Sequence, residues 1–341
     1  MIHTTFTAPN TGFTNQIFTM ITAIILAIKL NHKVVMVDQF VNDISKKDYT
    51  PISQIIDLES LNVYLKKYGI LVADKSSAKI HLKKVLFGTK ERFYDLSPSL
   101  LKDPSELSIP ISLDLNLIQG DPCYGIIKKV FISYYLNDEL IEEEYNETRT
   151  MPICIGINQT YYNTFGWVNS YDRILFEEIL QHMDYHSDFV AEPIKGQRIN
   201  VIHLRLEQDG ITHWSKMNQM SKDEFTRILE NKYIELIQKY ILKTDTTLLL
   251  SQSLNNGVVN FLQKENYTYT FTKKQYEDRE KNALIDLLSA KACNHIYIGN
   301  FNPDQMNGSS FSYYVGEVTH PVKKIYIDLD HIMESAIEIK C

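Results

Sequence analysis

VIHLRLEQDG, residues 201–210, is an apolar run that leads straight into His203, Leu204 and Arg205, with Asp209 four residues beyond the arginine. Val201 and Ile202 have the character of a buried strand, so His203, Arg205 and Asp209 are expected at or just past its carboxyl end. Ligands of open α/β sheets bind along that edge. Residues two apart on a strand share a face, which points His203 and Arg205 the same way. An arginine offers a planar fork of donors that matches phosphate. For a lone arginine at a strand end the plain alternative is a surface salt bridge, so the company it keeps along the chain decides.

Outward from this segment, AEPIKGQ (191–197) reads as a linker, which places a domain boundary at 195. Beyond the strand, SKDEF (221–225) is a capping box in which Ser221 and Glu224 satisfy the first amides of a helix running to about Leu242. TTLLLSQS (246–253), YTYTF and HIYIGN (295–300) read as strands, with helices at VVNFLQKEN and across 276–293. Short buried strands alternating with helices predict a doubly wound parallel sheet. NGSSFSYY (307–314) then offers Ser309, Ser310 and the backbone amides of a helix starting near Phe311: an anion nest, or a plain cap. Asp286 lies in the largely apolar helical stretch 283–290, either facing water or held for the N–H donors of a ligand such as guanine.

The amino-terminal half repeats the pattern. Residues 2–7 alternate as a strand, PNTGFTN (9–15) is a loop, and Gln16 to Leu30 is a helix with an almost wholly apolar surface. KVVMVD (33–38), closing on Asp38, completes a βαβ unit. The turn lacks the GxGxxG dinucleotide fingerprint. It does supply Gly12, which permits close backbone approach, and puts Asn15 and Gln16 at a helix amino terminus, where polar ligands are favoured. The alternative for Asn15 is a simple N-cap. Further on, the sequence suggests short helices over 51–68, strands at 70–73 and 92–95, and an acidic helix over 137–147. An amphipathic helix over 168–189 carries Ile174, Leu175, Ile179, Leu180 and Met183 on one stripe. The expected fold class is therefore α/β, with two Rossmann-like doubly wound domains (1–195 and 196–341) facing a cleft, the GT-B architecture. A last helix near the carboxyl terminus is expected, which could pack back on the first domain.

The chain has 341 residues, 44% hydrophobic and 23% charged, a globular composition long enough for two domains. A net charge of -7 and scattered lysine pairs argue against nucleic-acid binding, which needs clustered positive charge. The start, MIHTTFTAPN, has no secretory-signal character, and the longest apolar stretch (17–28) is too short to span a bilayer. Cys123, Cys154, Cys293 and Cys341 are far apart with no zinc spacing, as expected of reduced thiols in a cytoplasmic protein. Of the sequons at Asn146, Asn158, Asn266 and Asn307, the last falls inside the candidate anion turn, where a glycan would obstruct it.

Taken together, these segments resemble the GDP-fucose-dependent fucosyltransferases, the superfamily of the protein O-fucosyltransferases and the α1,2- and α1,6-fucosyltransferases. GFTNQ (12–16) is similar to the family's G-x-x-N-Q opening, and HLRLEQD (203–209) to its H-x-R motif in the H-L-R-x-x-x-D form. ALIDLLSAKACNHIYIGN followed by SSFSYY is similar to its closing block, while 40–160 shows no match. The resemblance implies an inverting, metal-independent transfer of L-fucose from GDP-fucose to a hydroxyl of a glycan or protein acceptor, with no cofactor. It implies that Arg205 clamps the β-phosphate, and that Ser309, Ser310 and Phe311 hold the diphosphate. It further implies that His203 and Asp286 contact the guanosine, that Gly12 lies in the donor site, and that Asn15 reaches toward fucose and acceptor. Asp209 is the first candidate general base and Glu207 the second, with the departing phosphate as a third route for the proton. Leu206 stands where the α1,2-type motif has a second arginine, so linkage and acceptor are open.

Three competing readings remain. YIDLD (326–330) has the shape of a metal-binding DxD with Asp328 and Asp330, but is expected to be a solvated strand end. A degenerate glycan- or nucleotide-binding module is the non-enzymatic reading, and another GDP-linked sugar would fit the same chemistry. Trp167, Trp214, Tyr161, Tyr162, Tyr313 and Tyr314 are aromatics that can stack on sugars or fill a core.

Overall fold

The structure is a computed structural model that describes residues 3–6, 12–37, 39–43, 48–74, 80–100, 110–111, 122–123, 125–136, 138–146, 153–154, 170–251 and 254–341. Asp38, Asn158, Tyr161, Tyr162 and Trp167 lie outside the described residues. The chain is a mixed α/β protein that divides into two compact units. Unit 1 comprises 1–10, 16–163 and 174–186; unit 2 comprises 11–15, 164–173 and 187–341.

Unit 1 opens with the expected βαβ. Strands β1 (His3–Phe6), β2 (Val34–Val37) and β3 (Leu71–Asp74) pair in parallel in that order. Helix α1 (Phe13–Lys29) joins the first two, and α2 (Leu58–Leu65) precedes the third. Helix α1 is apolar all round because it is buried all round: Ile17, Phe18, Met20, Ile21, Ile24 and Ile25 are inaccessible or nearly so. It begins at Phe13, three residues earlier than expected, so Asn15 lies in its first turn rather than capping it. Gln16, one residue further on, is fully buried. Its buried amide donates to Val41 O at 2.9 Å and accepts from Val41 N at 2.8 Å, pinning the hairpin Gln39–Asp43/Asp48–Pro51.

The acidic helix expected over 137–147 is a strand. β4 (Ile80–Gly88), β5 (Phe93–Asp95), β6 (Lys129–Leu136) and β7 (Glu139–Asn146) form an antiparallel sheet in the order β7-β6-β4-β5. Leu136 pairs with Glu139, and Asp138 just before it takes a φ of 71°, the left-handed conformation favoured in tight hairpin connections. Pairing with a strand whose Val130, Ile132 and Tyr134 are buried overrides the helix propensity of the glutamates. The helix expected over 168–189 is shorter, α3 (Ser170–Gln181), and Ile174 lies on its exposed side.

Unit 2 carries a six-stranded sheet: β8 (Ile199–His203), β9 (Thr246–Leu250), β10 (Tyr269–Phe271), β11 (Ile296–Gly299), β12 (Lys323–Tyr326) and β13 (Ile337–Lys340). Its order is β10-β9-β8-β11-β12-β13, parallel but for the last strand. The connecting helices are α4 (Gln208–Met217), α5 (Lys222–Tyr240), α6 (Gly257–Lys264), α7 (Arg279–Ala290) and α8 (Ser310–Val318). The winding reverses at β8, so the crevice between the carboxyl ends of β8 and β11 is the switch point where such sheets bind ligands. Two elements differ from expectation. Helix α4 was not foreseen, because its polar, glycine-containing start hides its periodicity. The carboxyl terminus forms strand β13 instead of a last helix: its period-two alternation pairs with β12, and the Glu338 carboxylate is held by Tyr240, Lys239 at 3.2 Å and Lys323 at 2.9 Å. No helix of the described residues is long and apolar enough to cross a membrane.

Candidate functional site

A cleft opens at this switch point inside unit 2. Each of its walls begins where a parallel strand ends. β8 delivers His203 and Arg205, β9 delivers Leu250 and Ser251, and the chain after β11 returns as the amino terminus of α8. Helix α7 contributes Arg279, Glu280, Ala283 and Asp286, and residues 12–15 supply the remaining edge.

His203 is buried at the end of β8, with Nδ1 2.6 Å from Ser312 Oγ and its ring 5.0 Å from Phe311. Burial, reinforced by the charge of Arg205, pushes its pKa down to about 3. The imidazole is therefore neutral at any working pH, a fixed hydrogen-bonding group and not a switch. Ser312 Oγ also accepts the Asn300 N–H at 2.9 Å; with the serine hydroxyl hydrogen turned to His203 Nδ1, the imidazole carries its proton on Nε2.

The backbone that carries Arg205 is clamped from beneath. The Tyr233 hydroxyl, fully buried on α5, accepts the Arg205 N–H at 3.0 Å and lies 2.8 Å from His203 O. The equally buried Asn300 lies 2.6 Å from the same hydroxyl through Oδ1, and its Nδ2 reaches His203 O at 3.3 Å. Neither residue touches the cleft, and sequence reasoning missed both. The asparagine closing HIYIGN and an aromatic on the buried stripe of α5 were the available signals.

Above this clamp the guanidinium of Arg205 is held on three sides. Glu207 Oε2 lies 2.9 Å from Nη1, Asp209 Oδ2 lies 3.1 Å from Nη2, and Cζ stands 5.8 Å from the centre of the Trp214 ring. The two carboxylates differ: Glu207 is 12% exposed and Asp209 61%. Partial burial acts to raise the Asp209 pKa, but the Arg205 charge and the Gly210 N–H outweigh it and hold the carboxyl below its ordinary range. Asp209 sits in the first turn of α4 rather than on a strand extension, and Gly210 follows it. A Cβ on Gly210 would stand 3.2 Å from both Arg205 Nε and the Trp214 ring, so the bare backbone makes room for the guanidinium.

The opposite wall is a helix start. Ser309 caps α8, its hydroxyl accepting the Ser312 N–H at 3.4 Å while its own N–H donates to Asn300 O at 2.8 Å. The N–H groups of Ser310 and Phe311, first in the helix, have no intrahelical acceptor. The turn is set by a short ribbon, Phe301–Asn302 against Asn307–Gly308. Gly308 has a φ of 120°, and a Cβ there would lie 2.8 Å from Asn300 O. Two aspartates fasten this ribbon: Asp328 accepts from Asn302 Nδ2 at 2.6 Å, and Asp330 accepts from Asn307 Nδ2. Asp328 is thus a buried anchor, not the solvated strand end expected. No cluster of three metal-ligating side chains occurs among the described residues.

Asp286 lines the cleft with its carboxylate accepting from Thr272 Oγ1; burial pushes its pKa up to about 6. Burial also raises Glu280, whose carboxylate takes the N–H of Phe13, the first residue of α1. Arg279 and Glu280 were not foreseen, since an arginine and a glutamate at a helix start carry no distinguishing pattern.

The structure thus gathers Gly12, Asn15, His203, Arg205, Glu207, Asp209, Asp286, Ser309, Ser310 and Phe311 around one cleft. Among the aromatics, Tyr313 and Tyr314 are core residues and Trp214 lies against Arg205.

No family model matches the sequence, and neither does any curated protein. Among solved structures, a crystal structure of POFUT1 in complex with GDP-fucose aligns over 94% of this chain and 95% of its own, at 10% identity and a TM-score of 0.46. A second crystal form of that complex aligns with a TM-score of 0.47 at 10% identity, covering 94% of this chain and 96% of the other. The POFUT1 apo-form gives 0.45 at 11% identity over 92% and 94% of the two chains.

Proposed function

We propose that this cleft binds a nucleoside diphosphate sugar, GDP-fucose, and that the protein is an inverting, metal-independent fucosyltransferase of the GT-B class acting on a hydroxyl of a glycan or protein in the cytoplasm. One observation carries the reading. A guanidinium (Arg205) and a capped helix start with open amides (Ser309–Phe311) line one cleft at the switch point of a parallel sheet. The motif resemblance over 12–16, 203–209 and 283–314 supports it. In this reading 196–341 is the donor side and 1–195 the acceptor side.

The chemistry follows from the charges. A diphosphate is held by the Ser310 and Phe311 N–H groups and by the Arg205 guanidinium. Of the two carboxylates on Arg205, the exposed Asp209 exchanges for phosphate at little cost, because an exposed ion pair contributes only about 0–1 kcal/mol. Glu207, largely enclosed, stays and keeps the fork oriented. As the bond from the anomeric carbon to the β-phosphate oxygen breaks, the departing phosphate gains charge that Arg205 and the helix start neutralise. An acceptor hydroxyl attacks the opposite face of the sugar. Its proton passes to Asp209, whose pKa returns toward the ordinary carboxylate range once phosphate has taken its place on the arginine. His203 Nε2–H donates to the nucleotide, and Asp286 accepts from the purine N–H groups.

Calorimetry in EDTA against GDP, GDP-fucose, UDP and ADP tests this. Binding of GDP and GDP-fucose, with neither UDP nor ADP, is expected. Binding of UDP alone, or of nothing until Mn²⁺ is restored, overturns the reading.

A further inference from the structure

The chain contains two Asn-Gly pairs, Asn256–Gly257 and Asn307–Gly308, and the fold treats them in opposite ways. An Asn-Gly bond is the peptide most open to intramolecular deamidation, because glycine lets its own backbone nitrogen approach the preceding side-chain carbonyl without a Cβ in the way.

At the first pair this approach is blocked twice. Asn256 caps α6, its Oδ1 accepting the Val259 N–H at 3.0 Å, and the Gly257 N–H is taken by Glu230 at 2.7 Å. At the second pair nothing comparable holds the glycine nitrogen. The Gly308 N–H turns back onto Asn307 Oδ1 of the same pair at 2.8 Å, Asn307 is exposed, and Gly308 keeps the φ of 120° that only glycine tolerates comfortably. The nucleophile and its target carbonyl are already side by side.

We propose that Asn307 is a site of spontaneous deamidation, and that its conversion disables the adjoining anion turn. The Gly308 nitrogen, losing its proton to solvent base, bonds to Asn307 Cγ; the Cγ–Nδ2 bond breaks and ammonia leaves, giving a cyclic imide. Water then opens the ring at either carbonyl, producing aspartate or isoaspartate, with no oxidant or reductant involved. Either product places a carboxylate where the amide donated to Asp330, so attraction becomes repulsion between like charges. Isoaspartate also lengthens the backbone by one carbon inside a ribbon only two residues long on each side. That ribbon leads directly into Ser309, the cap of α8. The loss of anion binding rests on the function proposed above; the chemistry at Asn307 does not.

The test ages the purified full-length protein in mildly alkaline buffer and reads peptide masses, isoaspartate content and GDP affinity over time, beside an Asn307→Gln variant. Amide-to-acid conversion at Asn307 well ahead of Asn256 is expected. The fraction of protein binding GDP with its original affinity should fall as conversion rises, the converted form binding at least tenfold more weakly, while Asn307→Gln, aged alongside, stays at its own fresh value. Equal conversion at the two asparagines, or none at Asn307, overturns the site. Unchanged GDP affinity in fully converted protein overturns the consequence. If fresh protein binds no GDP, the functional reading fails instead, and the consequence is then read from amide exchange of Ser310 and Phe311, which should quicken on conversion.

Discussion

Replacing Gly210 by alanine separates a functional role of the Arg205 pocket from a merely structural one, because its two effects have opposite signs. Gly210 lies in the first turns of α4 without a positive φ, so alanine fits its backbone and gains about 1 kcal/mol of helix propensity. The new Cβ would stand 3.2 Å from Arg205 Nε and 3.2 Å from the Trp214 ring. Trp214, buried on the same helix, has little room to give; the side chain of Arg205, 19% exposed, has more. The guanidinium must therefore give by a few tenths of an ångström. Misplacement of a reacting group by 1 Å can cost about 10²-fold in rate, so a shift of this size should lower kcat/KM by about 3- to 10-fold. Stability by urea denaturation should stay within about 1 kcal/mol of the parent. Steady-state kinetics with GDP-fucose and a competent acceptor, alongside GDP titration, measures the activity arm. An unaltered kcat/KM and GDP affinity in the folded variant would refute the idea that this glycine makes room for a working arginine.

Three further outcomes follow from the same geometry. Tyr233→Phe removes the hydroxyl beneath Arg205 and leaves buried polar groups of Asn300 and the 203–205 backbone short of a partner, so stability should fall by about 1–3 kcal/mol in urea; an unchanged midpoint would mean the clamp is idle. Asp209→Asn should cut kcat by about 10²- to 10⁴-fold with GDP affinity intact if this carboxylate takes the acceptor proton, whereas near-normal turnover assigns the proton to Glu207 or the departing phosphate. Asp286, with its pKa pushed up to about 6, loses its acceptor as pH falls through that value. GDP affinity should therefore drop about tenfold between roughly pH 7 and pH 5, beyond the drop seen in Asp286→Asn. In the ligand-free protein the sign reverses: the folded state binds this proton more tightly than the unfolded chain, so the contribution of Asp286 to stability declines as pH rises from about 4 to 6. Identical pH profiles for parent and variant would remove Asp286 from the binding site.

The asparagine and glycine residues of the turn before α8 show how far local sequence reaches. NGSSFSYY announces a helix start, but the same letters do not say that Asn302 and Asn307 are gripped by Asp328 and Asp330, more than twenty residues on. For the same reason the DLD segment read as a possible metal site or a solvated end, when it is an anchor. The acidic run at 139–146 misled in the other direction: glutamates favour helix when judged alone, and pairing with a buried neighbour strand made them β.

By itself the sequence determined the opening βαβ unit, the parallel core of the carboxyl-terminal half, and which side chains end up at its carboxyl edge, because strand period, caps and apolar runs are local and every strand end delivers its next residues to the same side. What only the tertiary structure decided was the state of those side chains. The arginine is held between carboxylates of unequal exposure, the histidine is neutral through burial, and burial pushes the pKa of the aspartate on α7 up to about 6. Desolvation and Coulombic neighbours set these properties, and both depend on residues distant in the chain that meet only when the sheet is wound.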